Sequence, residues 1–89
     1  MAVEREVVIQ NKEGLHFRPI MRFVDLASKF QCQIQVHCND READGRSPLE
    51  LLMLVGTQGS TVRLLTDGED EQEAIVGLCR LVESGFGEM

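Results

Sequence analysis

Apolar residues change their spacing repeatedly along this chain, and each change predicts an element. Val7-Val8-Ile9 is a short β-branched run closed by Asn11-Lys12-Glu13-Gly14, which reads as a strand ending in a turn. From Phe17 to Phe30 the period lengthens. Ile20, Phe23, Val24, Ala27 and Phe30 follow the spacing of one helix face, with Arg22, Asp25 and Lys29 opposite. Cys32, Ile34, Val36 and Cys38 then alternate with Gln31, Gln33, Gln35 and His37, the pattern of a half-buried strand. Asn39-Asp40 signals a hairpin, with Arg41 to Asp44 as a weaker returning edge strand that Gly45 breaks. Ser47-Pro48-Leu49-Glu50 opens a helix of about two turns ending by Gly56. Ser is a favoured N-cap, Pro is tolerated at the first position, and Glu three residues on completes a capping box. Gly59 leads into a strand over Ser60 to Thr66 with Val62 and Leu64 inward, and Asp67-Gly68 turns the chain. Asp70-Glu71-Gln72-Glu73 places acids at the positive end of a third helix. Its apolar stripe is Ile75, Leu78, Cys79 and Val82, and Gly85 and Gly87 end it.

The order is therefore strand, helix, strand, strand, helix, strand, helix. It predicts a two-layer α+β fold, βαββαβα, with three helices on one face of a four-stranded, mainly antiparallel sheet. The opposite face carries Gln and charged residues and stays wet. The length of 89 residues suits one domain over 1–89. Such a chain buries ~60–65% of its unfolded surface, which leaves no room for a cofactor domain beside a substrate domain.

Charge and composition remove further classes. Nine Lys+Arg against 15 Asp+Glu give 9 − 15 = −6, which argues against gripping nucleic acid or an anionic membrane. Trp and Tyr are absent, so base stacking is a poor expectation. The N-terminus is charged at once, without a secretory apolar region, and the run Leu51 to Val55 is too short to insert in a bilayer. A cytoplasmic location is expected. Cys32, Cys38 and Cys79 fit buried thiols better than a disulfide framework. The Cys32, His37, Cys38 spacing matches no zinc pattern, so neither a metal nor a cofactor is expected.

Candidate chemistry concentrates in Gly14-Leu15-His16-Phe17-Arg18-Pro19. A helix starting near Phe17 puts His16 at its N-cap. The first-turn amides of Phe17 and Arg18 are then free donors beside the imidazole, and Pro19 gives up no helical hydrogen bond. Free amides and the positive helix end make an anion pocket. Arg18 adds a planar charged fork suited to phosphate oxygens. A nucleophilic histidine there can accept a phosphoryl group and, being a good leaving group, give it up again. On spacing alone, a lone histidine before a helix is more often a surface cap. No Ser/His/Asp set, paired carboxylate site or P-loop accompanies it, so a self-sufficient enzyme is not expected.

These residues resemble the active-site segment of the HPr family, the histidine phosphocarriers of the bacterial phosphoenolpyruvate-dependent phosphotransferase system. Arg46-Ser47 is similar to the family's second signature, and Gly56-Thr57-Gln58-Gly59 and Asp67-Gly68-Glu69-Asp70-Glu71 to its later turns. The resemblance runs from about Glu6 to Val82. It implies an open-faced β-sandwich of the order read above. It also implies that phospho-enzyme I phosphorylates His16 at Nδ1, that Arg18 stabilises the phosphoryl, and that an enzyme IIA-type acceptor takes it. Ser47 matches the serine that HPr kinase/phosphorylase marks in some lineages, although its capping role alone explains its presence.

The second helix holds six apolar residues in seven, Leu49, Leu51, Leu52, Met53, Leu54 and Val55, more than a short one-sided helix can bury. With Phe17 and Met21 beside the buried stripe of the first helix, a partner-docking patch is expected from Phe17, Met21, Leu49, Leu52 and Met53. The sequence departs from the family's common pattern at Phe17, Ile20-Met21, Asp25, Pro48 and Glu50, which leaves a basic rim of Arg18, Arg22 and Arg46. The alternatives are a regulatory protein of an incomplete phosphorelay acting through Ser47, a non-transferring paralogue, and a small-ligand module. A relay that frees one face for successive partners is expected to be a monomer.

Overall fold

Alternation builds the sheet. The computed structural model describes residues 2–88. Its strands are β1 (Val3–Val8), β2 (Gln33–Cys38), β3 (Arg41–Asp44) and β4 (Thr61–Asp67), and its helices α1 (Phe17–Ala27), α2 (Pro48–Leu52) and α3 (Glu71–Glu83). The sheet order is β1-β4-β2-β3, antiparallel throughout. Val7, Val62, Leu64, Ile34 and Val36 are buried beneath Ile20, Phe23 and Ala27 of α1 and Ala74, Ile75, Leu78 and Val82 of α3. Each large side chain buried this way contributes ~1.5–3 kcal/mol. On the open face the register sets Glu6, Arg63, His37 and Glu42 in one row across all four strands.

Several boundaries differ from the sequence reading. β1 starts at Val3, because pairing from Val3↔Thr66 to Val8↔Thr61 carries Glu4-Arg5-Glu6, which have no apolar signal of their own. α1 stops at Ala27, and the amides of Lys29 and Phe30 turn back to the carbonyls of Leu26 and Ala27, tightening the chain before Phe30. α2 has only five residues. Cys79 is half-buried, packing at the edge of the α3 stripe, and Ala74 joins Ile75, Leu78 and Val82 in its buried part.

Two caps also work differently. Ser47 Oγ does accept the Glu50 amide (3.3 Å), but Glu50 Oε1 takes the Asp44 amide (3.0 Å). The reciprocal half of the capping box is missing because the Ser47 amide already donates to the Asp44 carbonyl. Asp70 stands at the N-cap of α3 without capping it. Its carboxylate instead accepts the amides of Gln31 (2.8 Å) and Cys32 (2.9 Å), stitching the entry of β2 to the start of α3.

Candidate functional site

Gly14 sets the approach to the site. Its φ of 69° is open to glycine, and a Cβ there would lie 2.4 Å from the Gly56 carbonyl oxygen. That closeness lets Leu15 donate its amide to the same oxygen at 2.9 Å. The chain then enters α1 through His16, extended at φ −105° and ψ −176°. The imidazole makes no cap bond and the first turn holds no acid. The positive end of α1, with the Phe17 and Arg18 amides, is therefore open to an anion. Arg18 is exposed and has no partner among the described residues.

The C-terminal segment completes the site, and nothing in the sequence reading pointed to it. After α3 a 3-10 turn, Gly85–Gly87, buries Phe86 in the core at φ 57°. Arg22 Nη1 donates to the Phe86 carbonyl. Glu88 is thereby delivered to the histidine, its Oε1 3.2 Å from His16 Nε2. Asn11, buried beneath, donates from Nδ2 to the same oxygen (3.3 Å) and to the Gly14 carbonyl (2.8 Å). The Glu88 side chain is 16% exposed and that of His16 is 39% exposed. A carboxylate at Nε2 favours the tautomer with its proton there and the lone pair on Nδ1, which makes no hydrogen bond among the described residues. Asn11, His16, Arg18, Arg22 and Glu88 line one open cleft of about 710 Å³. A buried phenylalanine followed by an acid near the C-terminus was the only available signal, and it is a weak one.

The basic rim is narrower than expected. Arg46 Nη2 donates to the Phe30 carbonyl at 2.6 Å and is half-buried, so it braces the α1–β2 turn. Arg22 divides its role between the cleft and the C-terminal segment. The apolar residues of α2 separate cleanly. Leu51 and Leu54 are buried, whereas Leu49, Leu52, Met53 and Val55 are exposed, as is Phe17 at 71%. Met21 is half-buried. Ser47 lies at the N-cap of α2, half-buried, beside Glu50.

Among the described residues no three His, Cys, Asp or Glu side chains converge where a metal ion could be held. No helix is long and apolar enough to cross a membrane. Burial pushes the thiols of Cys32, Cys38 and Cys79 above the usual cysteine value, helped at Cys32 by Asp70.

The profile of the family described as "PTS HPr component phosphorylation site" matches residues 3–84. The chain belongs to the HPr family. A phosphocarrier protein HPr of Cupriavidus necator is 42% identical over 86 residues, 97% of either chain. A phosphocarrier protein NPr of Shewanella violacea is 40% identical, over 97% of this chain and 94% of its own. The crystal structure of an HPr from Thermoanaerobacter tengcongensis, 42% identical, superposes with a TM-score of 0.92 and 98% of each chain covered. An HPr-like open-faced sandwich, four antiparallel strands carrying three helices, is thus both the observed fold and the family's. HPr proteins are phosphocarriers and not enzymes in themselves.

Proposed function

We propose that this single-domain chain accepts a phosphoryl group from phospho-enzyme I on His16 Nδ1 and passes it to an enzyme IIA-type acceptor. The observation that carries this reading is the pairing of His16 Nε2 with Glu88 at the uncapped end of α1, which leaves Nδ1 as the free nucleophile. In the forward step the Nδ1 lone pair forms the N–P bond. The bond from phosphorus to the donor breaks, and the donor keeps that electron pair. The Nε2 proton stays on the ring against Glu88. The amides of Phe17 and Arg18 and the Arg18 guanidinium receive the phosphoryl oxygens. The return step is the same path with the acceptor in the donor's place. This reading has the chain working in the cytoplasm as a monomer, docking partners through Phe17, Met21, Leu49, Leu52 and Met53.

The test is intact mass after incubation with phosphoenolpyruvate and enzyme I from the same genome. An acid-labile phosphoryl group is expected on the parent and none on His16→Ala. A parent that takes no phosphoryl sinks the reading.

A second reading, regulatory rather than transporting, is favoured by the thin rim. Arg46 is tied to Phe30, while Asp25 and Glu50 are exposed on α1 and α2. In it, HPr kinase/phosphorylase or a similar kinase marks Ser47. Phosphate there would meet Glu50 and weaken docking of an acidic partner. An acid-stable mark with ATP and such a kinase, absent in Ser47→Ala, supports it. A Ser47→Asp variant that still accepts phosphoryl at the parent rate counts against it.

A further inference from the structure

Asn11 is a polar side chain buried to 1% exposure, and its amide is only half satisfied. Nδ2 uses both of its hydrogens, donating to the Gly14 carbonyl (2.8 Å) and to Glu88 Oε1 (3.3 Å). Oδ1 is buried without a hydrogen-bond partner among the described residues. A buried oxygen left this way costs stability, so its presence calls for a reason. The turn at 11–14 does not supply one. Backbone already closes it, the Gly14 amide donating to the Asn11 carbonyl at 3.1 Å. The Gly14 carbonyl also takes the His16 amide at 3.0 Å, so it would stay paired without the side chain.

What the side chain adds is one reference point for both halves of the transfer site. From a single nitrogen it holds the loop that carries His16 and, across 77 positions, the carboxylate that meets His16 Nε2. Few side chains can do this. A hydroxyl has one hydrogen and cannot hold both oxygens, and a carboxylate has none to give near neutrality. Lys or Arg would bring the hydrogens but also a charge that competes with His16 for Glu88. An amide grips the carboxylate and leaves its charge to the ring. That charge is needed when the N–P bond forms at Nδ1, because the ring, keeping its Nε2 proton, then becomes cationic.

We infer that Asn11 is a positioning residue for phosphoryl transfer, holding the Glu88 carboxylate on His16 Nε2. The inference rests on the phosphocarrier reading. Buried as it is, Asn11 acts on the ring only through Glu88 and lies out of reach of a docked protein.

The experiment measures transfer from phospho-enzyme I of the same genome to the parent, Asn11→Leu, Asn11→Asp, Glu88→Ala and the double variant Asn11→Leu with Glu88→Ala. Melting temperatures are taken alongside, with nitrogen-15 spectra of the His16 ring at mildly alkaline pH, where an ordinary imidazole is neutral. Leucine has nearly the shape of asparagine and removes the orphaned oxygen, so Asn11→Leu is expected to melt close to the parent. Its maximal rate falls about threefold with KM for the donor unchanged, as loss of one orienting hydrogen bond predicts. The ring's preference for its proton on Nε2 relaxes at the same time. Asn11→Asp, which sets a second carboxylate against Glu88, shows both effects and stands in if the leucine variant fails to fold. In the Glu88→Ala background Asn11→Leu slows transfer no further, because nothing is left to hold. Equal slowing with and without Glu88 makes Asn11 a turn residue only and overturns the inference. So does a parent-like maximal rate in a folded variant, or a rise in KM alone. Two variants that both unfold show that the fold itself needs the amide and overturn it as well. All of these leave the carrier reading intact, whereas a parent that takes no phosphoryl overturns both readings together.

Discussion

His16 owes its proposed reactivity to the unequal surroundings of its two ring nitrogens. Nε2 is occupied by Glu88 and Nδ1 is not. Glu88→Ala removes the group that holds the proton on Nε2 and orients the ring. A hydrogen bond of this kind is worth ~1 kcal/mol when partly exposed, so phosphorylation by the donor should slow about fivefold with the melting temperature little changed. A rate equal to the parent's would show that the ring is oriented without it. Gly14 acts earlier, through backbone. Gly14→Ala forces a Cβ against the Gly56 carbonyl and disfavours φ 69°. It should cost ~1–3 kcal/mol in urea unfolding and impair transfer, because the loop carrying His16 must shift.

Among the elements, α3 and β2 are joined by one carboxylate. Hydrogen bonds from the backbone, chiefly the Gln31 amide and then Cys32, hold Asp70 below the usual carboxylate range. A depressed folded value contributes stability above the unfolded value and loses it as pH falls through the folded one. Asp70→Ala should therefore be less stable than the parent near neutrality. The gap should close as pH drops below ~4, the unfolded carboxylate value. Denaturant midpoints of the two proteins against pH check this, and a gap that persists unchanged at low pH refutes the assignment. At α2, Ser47→Ala should cost ~1 kcal/mol of stability through its lost cap bond, whatever a kinase does there.

At the scale of the whole molecule, the site depends on the C-terminus being folded down. Phe86 is the anchor, fully buried eleven residues beyond Ile75 in the same core. Phe86→Ala should lower stability by ~3–5 kcal/mol. It should also slow phosphorylation at least as much as Glu88→Ala, since it frees the whole segment. The core shields its thiols too. All three are pushed toward the neutral thiol, so exposure decides: Cys32 and Cys38 are buried, and thiol reagents at mild alkaline pH should label half-buried Cys79 first. The other two should react only on unfolding.

Periodicity was enough to determine the order of elements, the inward residues of β2 and β4, and the placing of His16 at a helix start. Each of those signals is local, a repeat of two or 3.6 residues ending at a turn or a Pro. The helix start at Gly14 to Pro19, with His16 at its N-cap, was legible for the same reason, since a helix N-terminus is built from consecutive residues. What local pattern could not reach was any contact between distant parts of the chain. Glu88 meets His16 across 72 positions, Asp70 meets Gln31 across 39, and Arg46 leaves the rim for the Phe30 carbonyl. Those pairings exist only once the sheet and helices have packed. The tertiary structure therefore decided which imidazole nitrogen stays free, which arginines face the site, and which of the crowded apolar residues of α2 and the turn after it remain on the surface.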